Sequence, residues 1–501
     1  MDIKLVKAST KIVRNLHRRT IIITLAVIMG INAVISAFVL LAQSLRLDES
    51  QSLWQTSHSF TGMLRVVAED VHVPLYHTVL HFWIQAFGDT AVAARSLSLA
   101  LFMITIPMVY KLARLMLSDR QALVAAALAG LSPFMIWYGN EARMYSLLAL
   151  LTVLSQYFFI RILQRRSGYN WTWYTLAAVA GAYTHYFFMV VLLTQGLYFI
   201  MQHRQFAPGS FKRFIAVALT VLASLAPWLI YVRSLGSASG DRPLLVQPSS
   251  VDFFNTFSQF VFGFQPDSIN SVIVSFWPLT VLLAFLAIGK NKRFPREIQF
   301  MALAAILPVV LAFAASYFIT PIFVSRYLII ALPALYIFLA WLVTNYVRKV
   351  MFVVGGALVL AIAITSVHQN VSAATPVKEE YRAVATTISA KATPSDTVIV
   401  STPFTKYPFD YYYTGDAQVT TLPGWVKGPM PGFDPAKLPA EVDRLATDHE
   451  YAYLVQSYDQ GYEKQIKAYF DRHFQKVSEQ TFSKGLTLSV YRVGYRTTPL
   501  Y

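Results

Sequence analysis

Cysteine is absent from the 501 residues. That excludes disulfides, thiolate nucleophiles and Cys-ligated metals, and leaves the compartment open. Charge is scarce as well. Asp, Glu, Lys and Arg make up 14% of the chain, where a soluble protein carries roughly a quarter. Acidic residues are the scarcer sign, 26 against 42 basic, for a net charge of +16. No HExxH helix is present. The C-terminal stretch has neither a GxGxxG nor a P-loop, so no nucleotide site is supported there.

What the chain has is apolar length. Hydrophobic residues are 55% of the total and the mean hydropathy is +0.48. Several runs reach the roughly 18 residues needed to cross a bilayer. The first, Ile21 to Ala42, follows a basic leader. It is too long for a signal-peptide core and lacks a clear small-residue cleavage site, which makes it a retained span. About eleven spans are expected, at 20–42, 91–117, 121–138, 143–162, 171–185, 186–202, 214–232, 271–289, 297–318, 326–346 and 350–367. The pair between Trp171 and Gln202 is short and is split by Tyr183-Thr184-His185-Tyr186.

The positive charge reports topology rather than nucleic-acid binding. Lys4, Lys7, Lys11, Arg14, Arg18 and Arg19 precede the first span. Every second connection is then basic: Lys111, Arg114 and Arg120; Arg161, Arg165 and Arg166; Arg204, Lys212 and Arg213; Lys290, Lys292, Arg293 and Arg296; Arg348 and Lys349. The first alternate connection carries Asp48, Glu49, Glu69, Asp70 and Asp89 against Arg46 and Arg65. This alternation places the N-terminus in the cytoplasm and everything after about residue 368 outside.

The same phasing puts the unusual polar groups at outer span ends. These are Asp48-Glu49, His72 to His77, Tyr138 to Tyr145, His185-Tyr186 and Ser325-Arg326-Tyr327. Intramembrane and juxtamembrane ionisable groups are costly and therefore tend to be functional. The loop 43–90 is expected to hold helices on the outer membrane surface, from the spacing of Val79, Leu80, Phe82, Trp83, Ile84 and Phe87. The loop 233–270 is aromatic and either anchors in headgroups or covers a lipid-access groove. From about Thr375 the composition changes. Glu379 to Ala390 and Glu463 to His473 read as helices, and 397–401, 452–455 and 486–492 as strands, with Pro-Gly turns at Pro423, Gly428-Pro429 and Pro431 between them. The division expected is a membrane domain at 1–370 and a small α/β domain at 371–501.

The order of these motifs resembles the GT-C class of polytopic glycosyltransferases, in the bacterial branch related to protein O-mannosyltransferases and lipid A aminoarabinose transferase. The resemblance is carried by Asp48-Glu49-Ser50; by His72-x-Pro74-Leu75-Tyr76 with Phe82-Trp83 and Phe87-Gly88; by Ala94-Arg95-Ser96-Leu97-Ser98; by Leu131-Ser132-Pro133 to Tyr145; by Thr184-His185-Tyr186; and by Ser325-Arg326-Tyr327-Leu328 to Pro333-Ala334-Leu335. It covers about the first 370 residues. Val73 stands where relatives commonly have a second proline.

The resemblance implies an inverting transferase that moves a sugar from a polyprenyl-phosphate donor to an acceptor hydroxyl of a glycan, lipid or protein. The reaction would lie on the extracytoplasmic face of a bacterial cytoplasmic membrane, in envelope glycan or glycoconjugate assembly. Asp48 matches the family's general base, and a carboxylate there suits deprotonation of a weakly nucleophilic hydroxyl; the plain structural reading is that it caps a surface helix starting near Glu49. Glu49 is the second catalytic candidate, orienting an arginine or the acceptor. Arg143 and Arg326, with His72, His185, Tyr145 and Tyr327, are expected to hold the donor phosphate, because a guanidinium fork binds phosphate bidentately and stays charged. Glu141, Tyr76, Tyr138 and Tyr186 are expected on the substrate. Arg95 reads as a snorkelling arginine at a span end. No cofactor is required by this chemistry. A divalent metal is left open, since His72, His77, His81 and His58 lie near carboxylates but do not form a complete ligand set. Two other function classes compete: a flippase or transporter, which would want mid-bilayer charges and inverted repeats, and a membrane-anchored assembly factor acting through its C-terminal domain.

Overall fold

The structure is a computed structural model that describes residues 3–494, except 71, 165–167, 236–245, 276, 278–288, 290–293, 347–349, 373–375, 426–431 and 459. The expected span 271–289 falls mostly outside the described residues. So do the basic residues Arg165, Arg166, Lys290, Lys292, Arg293, Arg348 and Lys349, and the turn Gly428-Pro429. The chain divides into two compact bodies.

The first body is helical. It contains α1 (Ile3–Ala42), α4 (Leu75–Phe87), α5 (Ala91–Ala113), α6 (Asp119–Leu131), α7 (Pro133–Gly139), α8 (Tyr145–Leu163), α9 (Tyr169–Ala182), α10 (Phe188–Met201), α11 (Ser210–Ser234), α12 (Ser250–Phe262), α13 (Asp267–Ser275), α14 (Arg296–Phe318), α15 (Leu332–Tyr346) and α16 (Val350–Val371). Two further helices, α2 (Leu47–Thr56) and α3 (Phe60–Glu69), belong to the second body. Six described helices are long and apolar enough to cross a membrane, and seven if the bent pair α6–α7 is one span. The larger number expected from sequence also counted α9 and α10, which are 14 residues each, the segment at 271–289, and the span 350–367, where the described apolar helix Gly356–Val371 is shorter than a crossing requires. The architecture is that of a multi-pass membrane protein.

Helix α1 shows how the apolar runs are used. Ile22, Ile23, Val27, Val34, Phe38 and Leu41 are exposed, whereas Ile28, Asn32, Ile35, Ser36 and Val39 are buried at helical spacing. Polar atoms thus face the bundle and apolar ones face outward, the arrangement a lipid solvent selects. The inward stripe begins a buried hydrogen-bond chain. Asn32 Nδ2 donates to the Gly130 carbonyl at 2.7 Å, Ser36 Oγ donates to Asn32 Oδ1 at 3.2 Å, and Asn140 Nδ2 donates to Ser36 Oγ at 3.0 Å. The chain ties α1 to the last turn of α6 and to the residue that ends α7. Between them the helix bends by 56°. Ser132 caps α7, accepting from Met135 N at 3.1 Å, and Pro133 takes the first helical position, where its missing N–H costs nothing. Tyr336 OH donates to the Phe260 carbonyl at 2.6 Å, and its oxygen lies 2.6 Å from the Ser132 hydroxyl, which can donate to it. The break is therefore fully bonded in a region where water is scarce.

The second body joins Ala42–Val71 to Ser372–Tyr501. Its sheet has the order β2-β1-β3-β5-β4, with β1 (Thr397–Ser401), β2 (Gln418–Leu422), β3 (Tyr451–Gln456), β4 (Gln475–Ser483) and β5 (Leu486–Arg492). Strand β1 pairs parallel with β2 and β3, and β5 pairs antiparallel with β3 and β4. Side chains alternate across the sheet. Val398, Val400, Tyr453, Val455, Leu488 and Val490 pack with α17 (Tyr381–Ser389) on one face. Ile399, Ala452, Leu454 and Tyr491 pack with α19 (Leu438–Ala446) and α20 (Glu463–His473) on the other. Helix α18 (Lys406–Tyr412) follows β1. The three strands and two helices expected from sequence are all present. The edge strands β2 and β4 and helices α18 and α19 are additions.

The Ala42–Val71 segment is fastened to this domain. Leu45 N donates to Tyr412 OH at 2.8 Å, Arg382 N donates to Ser44 Oγ at 3.3 Å, and the rings of Trp54 and Tyr407 lie 4.9 Å apart.

Candidate active site

Two constellations carry the residues singled out by sequence. The first is in the helical body, on the turn Asn140–Met144 between α7 and α8. Every residue from Leu131 to Leu150 is buried, so this turn is built into the core rather than laid over it. Arg143 is 4% exposed. Its Nη2 lies 3.3 Å from His72 Nε2. A guanidinium only donates, so the His72 ring nitrogen is the acceptor in this contact. The His72 segment is held from two sides. Trp228 Nε1 donates to the His72 carbonyl at 3.1 Å, and Leu75 N donates to the Tyr183 carbonyl at 3.0 Å.

That second tie leads to the break between α9 and α10. Gly181 makes the break: a Cβ there would meet the Phe188 ring at 2.4 Å, so only glycine lets α10 return so closely onto α9. His185 sits in the break and accepts at Nδ1 from Phe187 N at 3.1 Å, which places its proton on Nε2. Its ring lies 5.0 Å from Tyr327 and 6.4 Å from Tyr145, and Tyr145 lies 5.0 Å from Tyr138. Arg326 opens the 3₁₀ turn Ser325–Ala331, with its guanidinium carbon 5.6 Å from the Tyr327 ring centre. His185 is within electrostatic reach of His72, Arg143 and Arg326. The structure thus gathers Arg143, His185, Tyr138 and Tyr145, which are buried, with the half-buried Arg326, His72 and Tyr327 into one cluster with two guanidinium groups. Glu141 is buried in the same turn, where its carbonyl accepts from Arg143 N at 2.7 Å. Tyr186 is half-buried at the entry to α10.

Other expectations are revised. Tyr76 is fully buried and its hydroxyl is 2.8 Å from Ser98 Oγ, which in turn lies 3.4 Å from the Arg143 carbonyl. It positions the arginine turn. Arg95 is fully buried on α5, not snorkelling; an arginine there is tolerated only with polar compensation. The histidines do not converge. His81 accepts from Gln85 Nε2 at 2.8 Å and His58 Nδ1 contacts the Trp54 carbonyl at 2.9 Å. Among the described residues no three His, Asp or Glu side chains are grouped as metal ligands.

His77 is a residue that spacing alone did not interpret. It is fully buried on α4, its ring stacks 6.1 Å from His72, and a bond with the Val73 backbone only partly offsets the burial. Burial pushes its pKa well below 6.5, and His72 and Arg143 add to the shift. The unfolded chain takes a proton below that value and the folded chain does not. Stability is therefore unaffected above 6.5 and is lost as the pH falls through it. Between about pH 7.5 and 5.5 the wild-type melting point should drop further than that of His77→Gln, corresponding to up to about 1.4 kcal/mol per pH unit below 6.5. Equal drops in the two proteins would mean that His77 takes its proton in the folded state.

The second constellation is in the other body, on α2. Glu49 is fully buried and its Oε2 accepts from Arg46 N at 2.9 Å. It closes the first turn of the helix, the reciprocal half of a capping box. Asp48 precedes it, half-buried, and is not needed as the cap. The electrostatic surroundings of Glu379 include Asp48 and Arg46, and Tyr458 OH donates to Glu379. Glu379 has its pKa raised by burial. It lies in the C-terminal segment, 331 positions from Asp48 by number, and no spacing signal could have paired the two.

Residues 71–231 match the family model of dolichyl-phosphate-mannose-protein mannosyltransferases. Among curated proteins, none matches this chain in sequence. In fold, the chain is similar to ArnT from Cupriavidus metallidurans in its apo state, with a TM-score of 0.61 at 13% identity, covering 93% of this chain and 97% of that one. The same enzyme bound to undecaprenyl phosphate gives 0.58 at 12%, with coverage of 93% and 97%. The apo oligosaccharyltransferase of Archaeoglobus fulgidus gives 0.50 at 11%, covering 86% and 69%. The chain has the GT-C fold that its motifs resemble.

Proposed function

We propose that the chain is an inverting glycosyltransferase that moves a sugar from a polyprenyl-phosphate donor to an acceptor hydroxyl, on the extracytoplasmic face of a bacterial cytoplasmic membrane, in envelope glycan assembly. The observation that carries this reading is the cluster of Arg143, Arg326, His72 and His185. Two guanidinium groups gathered with two imidazoles and three tyrosines present the kind of donors that bind a phosphate. A phosphate carried on a lipid fits a site built into a membrane helix bundle. The fold shared with an enzyme that has been crystallised with undecaprenyl phosphate supports the same donor class. The basic alternation of the loops supports a cytoplasmic N-terminus.

Chemically, the acceptor oxygen attacks the anomeric carbon from the face opposite the phosphate. The carbon–oxygen bond to phosphate breaks with inversion, and polyprenyl phosphate leaves as the anion. Arg143 and Arg326 take up the charge that develops on the phosphate, assisted by His72 and His185. The Asp48 carboxylate accepts the acceptor's proton. Glu49 holds the helix turn that presents Asp48. No step requires a metal.

The test is the lipid that accompanies the protein. Mass spectrometry of lipid extracted from the purified full-length chain should reveal a polyprenyl-phosphate sugar, and its yield should fall in an Arg143→Gln, Arg326→Gln double variant. Recovery of ordinary phospholipid alone, unchanged by the double variant, would sink the reading.

A further inference from the structure

The second body carries a group of side chains that the proposed chemistry does not use. Along α2, Asp48, Gln51 and Gln55 follow at i, i+3 and i+7, on one face of the helix. Gln51 Nε2 and Gln55 Nε2 both donate to Asp70 Oδ2, at 3.0 and 2.9 Å. Two amides from successive turns thus fix one carboxylate at the end of α3. Beside it stand three rings in sequence. Trp54 lies 4.9 Å from Tyr407 at 45°, and Tyr407 lies 5.7 Å from Trp425 at 89°. All three are half-exposed. Tyr407 is within electrostatic reach of Asp70, which together with burial raises its pKa and keeps the phenol a hydrogen-bond donor. Trp425 is anchored through its backbone, its N–H donating to Thr421 Oγ1 at 2.8 Å.

Packing of α2 against the domain needs apolar area. It does not need a carboxylate clamped by two amides at the margin of a half-exposed aromatic row. That combination is the complement of a sugar. Aromatic faces cover the apolar C–H face of a pyranose, while a fixed carboxylate and phenol bond its hydroxyls. An acyl chain or an apolar peptide would strip water from a charged carboxylate and a phenol without offering either a hydroxyl, at a cost. An anionic polymer would be repelled by it.

We infer that the Trp54–Tyr407–Trp425 row and Asp70 form an acceptor subsite, and that the acceptor is a neutral glycan of more than one sugar. The inference rests on Asp48 being the base. From Asp48 to Trp54 is six residues of helix, about 9 Å along the axis. Trp54 also lies about 120° round the helix from Asp48, so an acceptor hydroxyl at Asp48 leaves the remaining sugars of the chain to wrap along and around α2 toward the rings. The acceptor's own length is what selects it.

The experiment uses full-length protein in native membranes charged with labelled polyprenyl-phosphate sugar. It is offered three fractions of the same cell's envelope: protease-treated, delipidated glycan; deglycosylated protein; and lipid. Label should enter the glycan. Trp425→Ala and Asp70→Asn should each raise the acceptor KM about tenfold while kcat and donor retention hold. Using two variants of different chemistry separates loss of binding from loss of folding, which would lower kcat and protein yield together. Label entering protein or lipid, or an unchanged KM in both variants, overturns the subsite while leaving Asp48 in place. Persistent transfer by Asp48→Asn overturns the base instead.

Discussion

Asp48→Asn should lower sugar transfer by about 10²–10⁴-fold, the range lost when a positioned general base is removed. Asparagine keeps the shape of the side chain and loses only the ability to take a proton. The substitution is also structurally mild, because the first turn of α2 is closed by Glu49 through the Arg46 N–H. Thermal unfolding of the variant should match the wild type within the spread of ordinary surface substitutions, about 0.5 kcal/mol. Glu49→Gln is the matching control. Its amide oxygen can still accept from Arg46 N–H, so folding and transfer should both persist. The measurement is the rate of label leaving a polyprenyl-phosphate sugar for the acceptor. Normal transfer by Asp48→Asn would remove Asp48 as the base, and loss of transfer in Glu49→Gln would give Glu49 a chemical role.

Arg143→Lys carries the second large effect. The charge is kept, but the planar fork is lost, and the ammonium is a point donor with different reach. Arg143 is 4% exposed and contacts His72 Nε2, so the lysine also leaves His72 without its donor at that nitrogen. Stabilisation of the leaving phosphate should fall, lowering kcat by about 10²–10³-fold at saturating donor. A lysine variant within about threefold of wild type would show that net charge suffices and that bidentate geometry is not used.

Much of this was legible in the sequence because the membrane imposes coarse rules. Apolar runs, basic alternation and polar residues at span ends were enough to find the helices and to nominate Arg143, Arg326, His72 and His185 together. Strands β1 and β3 were visible because they are buried on both faces and read as short apolar runs, and β5 because Leu486, Leu488 and Val490 alternate with polar residues. Strand β4 was not. All nine of its residues are polar, exposed or only partly buried, so it has no hydrophobic period. Its edge carries Lys476 and Glu479, paired with each other and with Asp471 and Lys467. The α6–α7 bend hid inside one apolar run, since Ser132 and Pro133 mark a helix start only when the Tyr336 hydroxyl is there to bond the break. Arg95 looked like an interfacial arginine because sequence position does not report which side of α5 faces the core. Trp54, Tyr407 and Trp425 are brought together over more than 300 positions, beyond any local signal.

The break at His185 also bears on the lipid around the protein. Helices α9 and α10 are 14 residues each, about 21 Å long, whereas the hydrocarbon layer is about 30 Å thick. A span this short is matched by thinning of the layer, by snorkelling of flanking residues or by association with neighbouring helices. Gly181, by allowing two short helices in place of one long one, brings that demand to the same turn that positions a histidine.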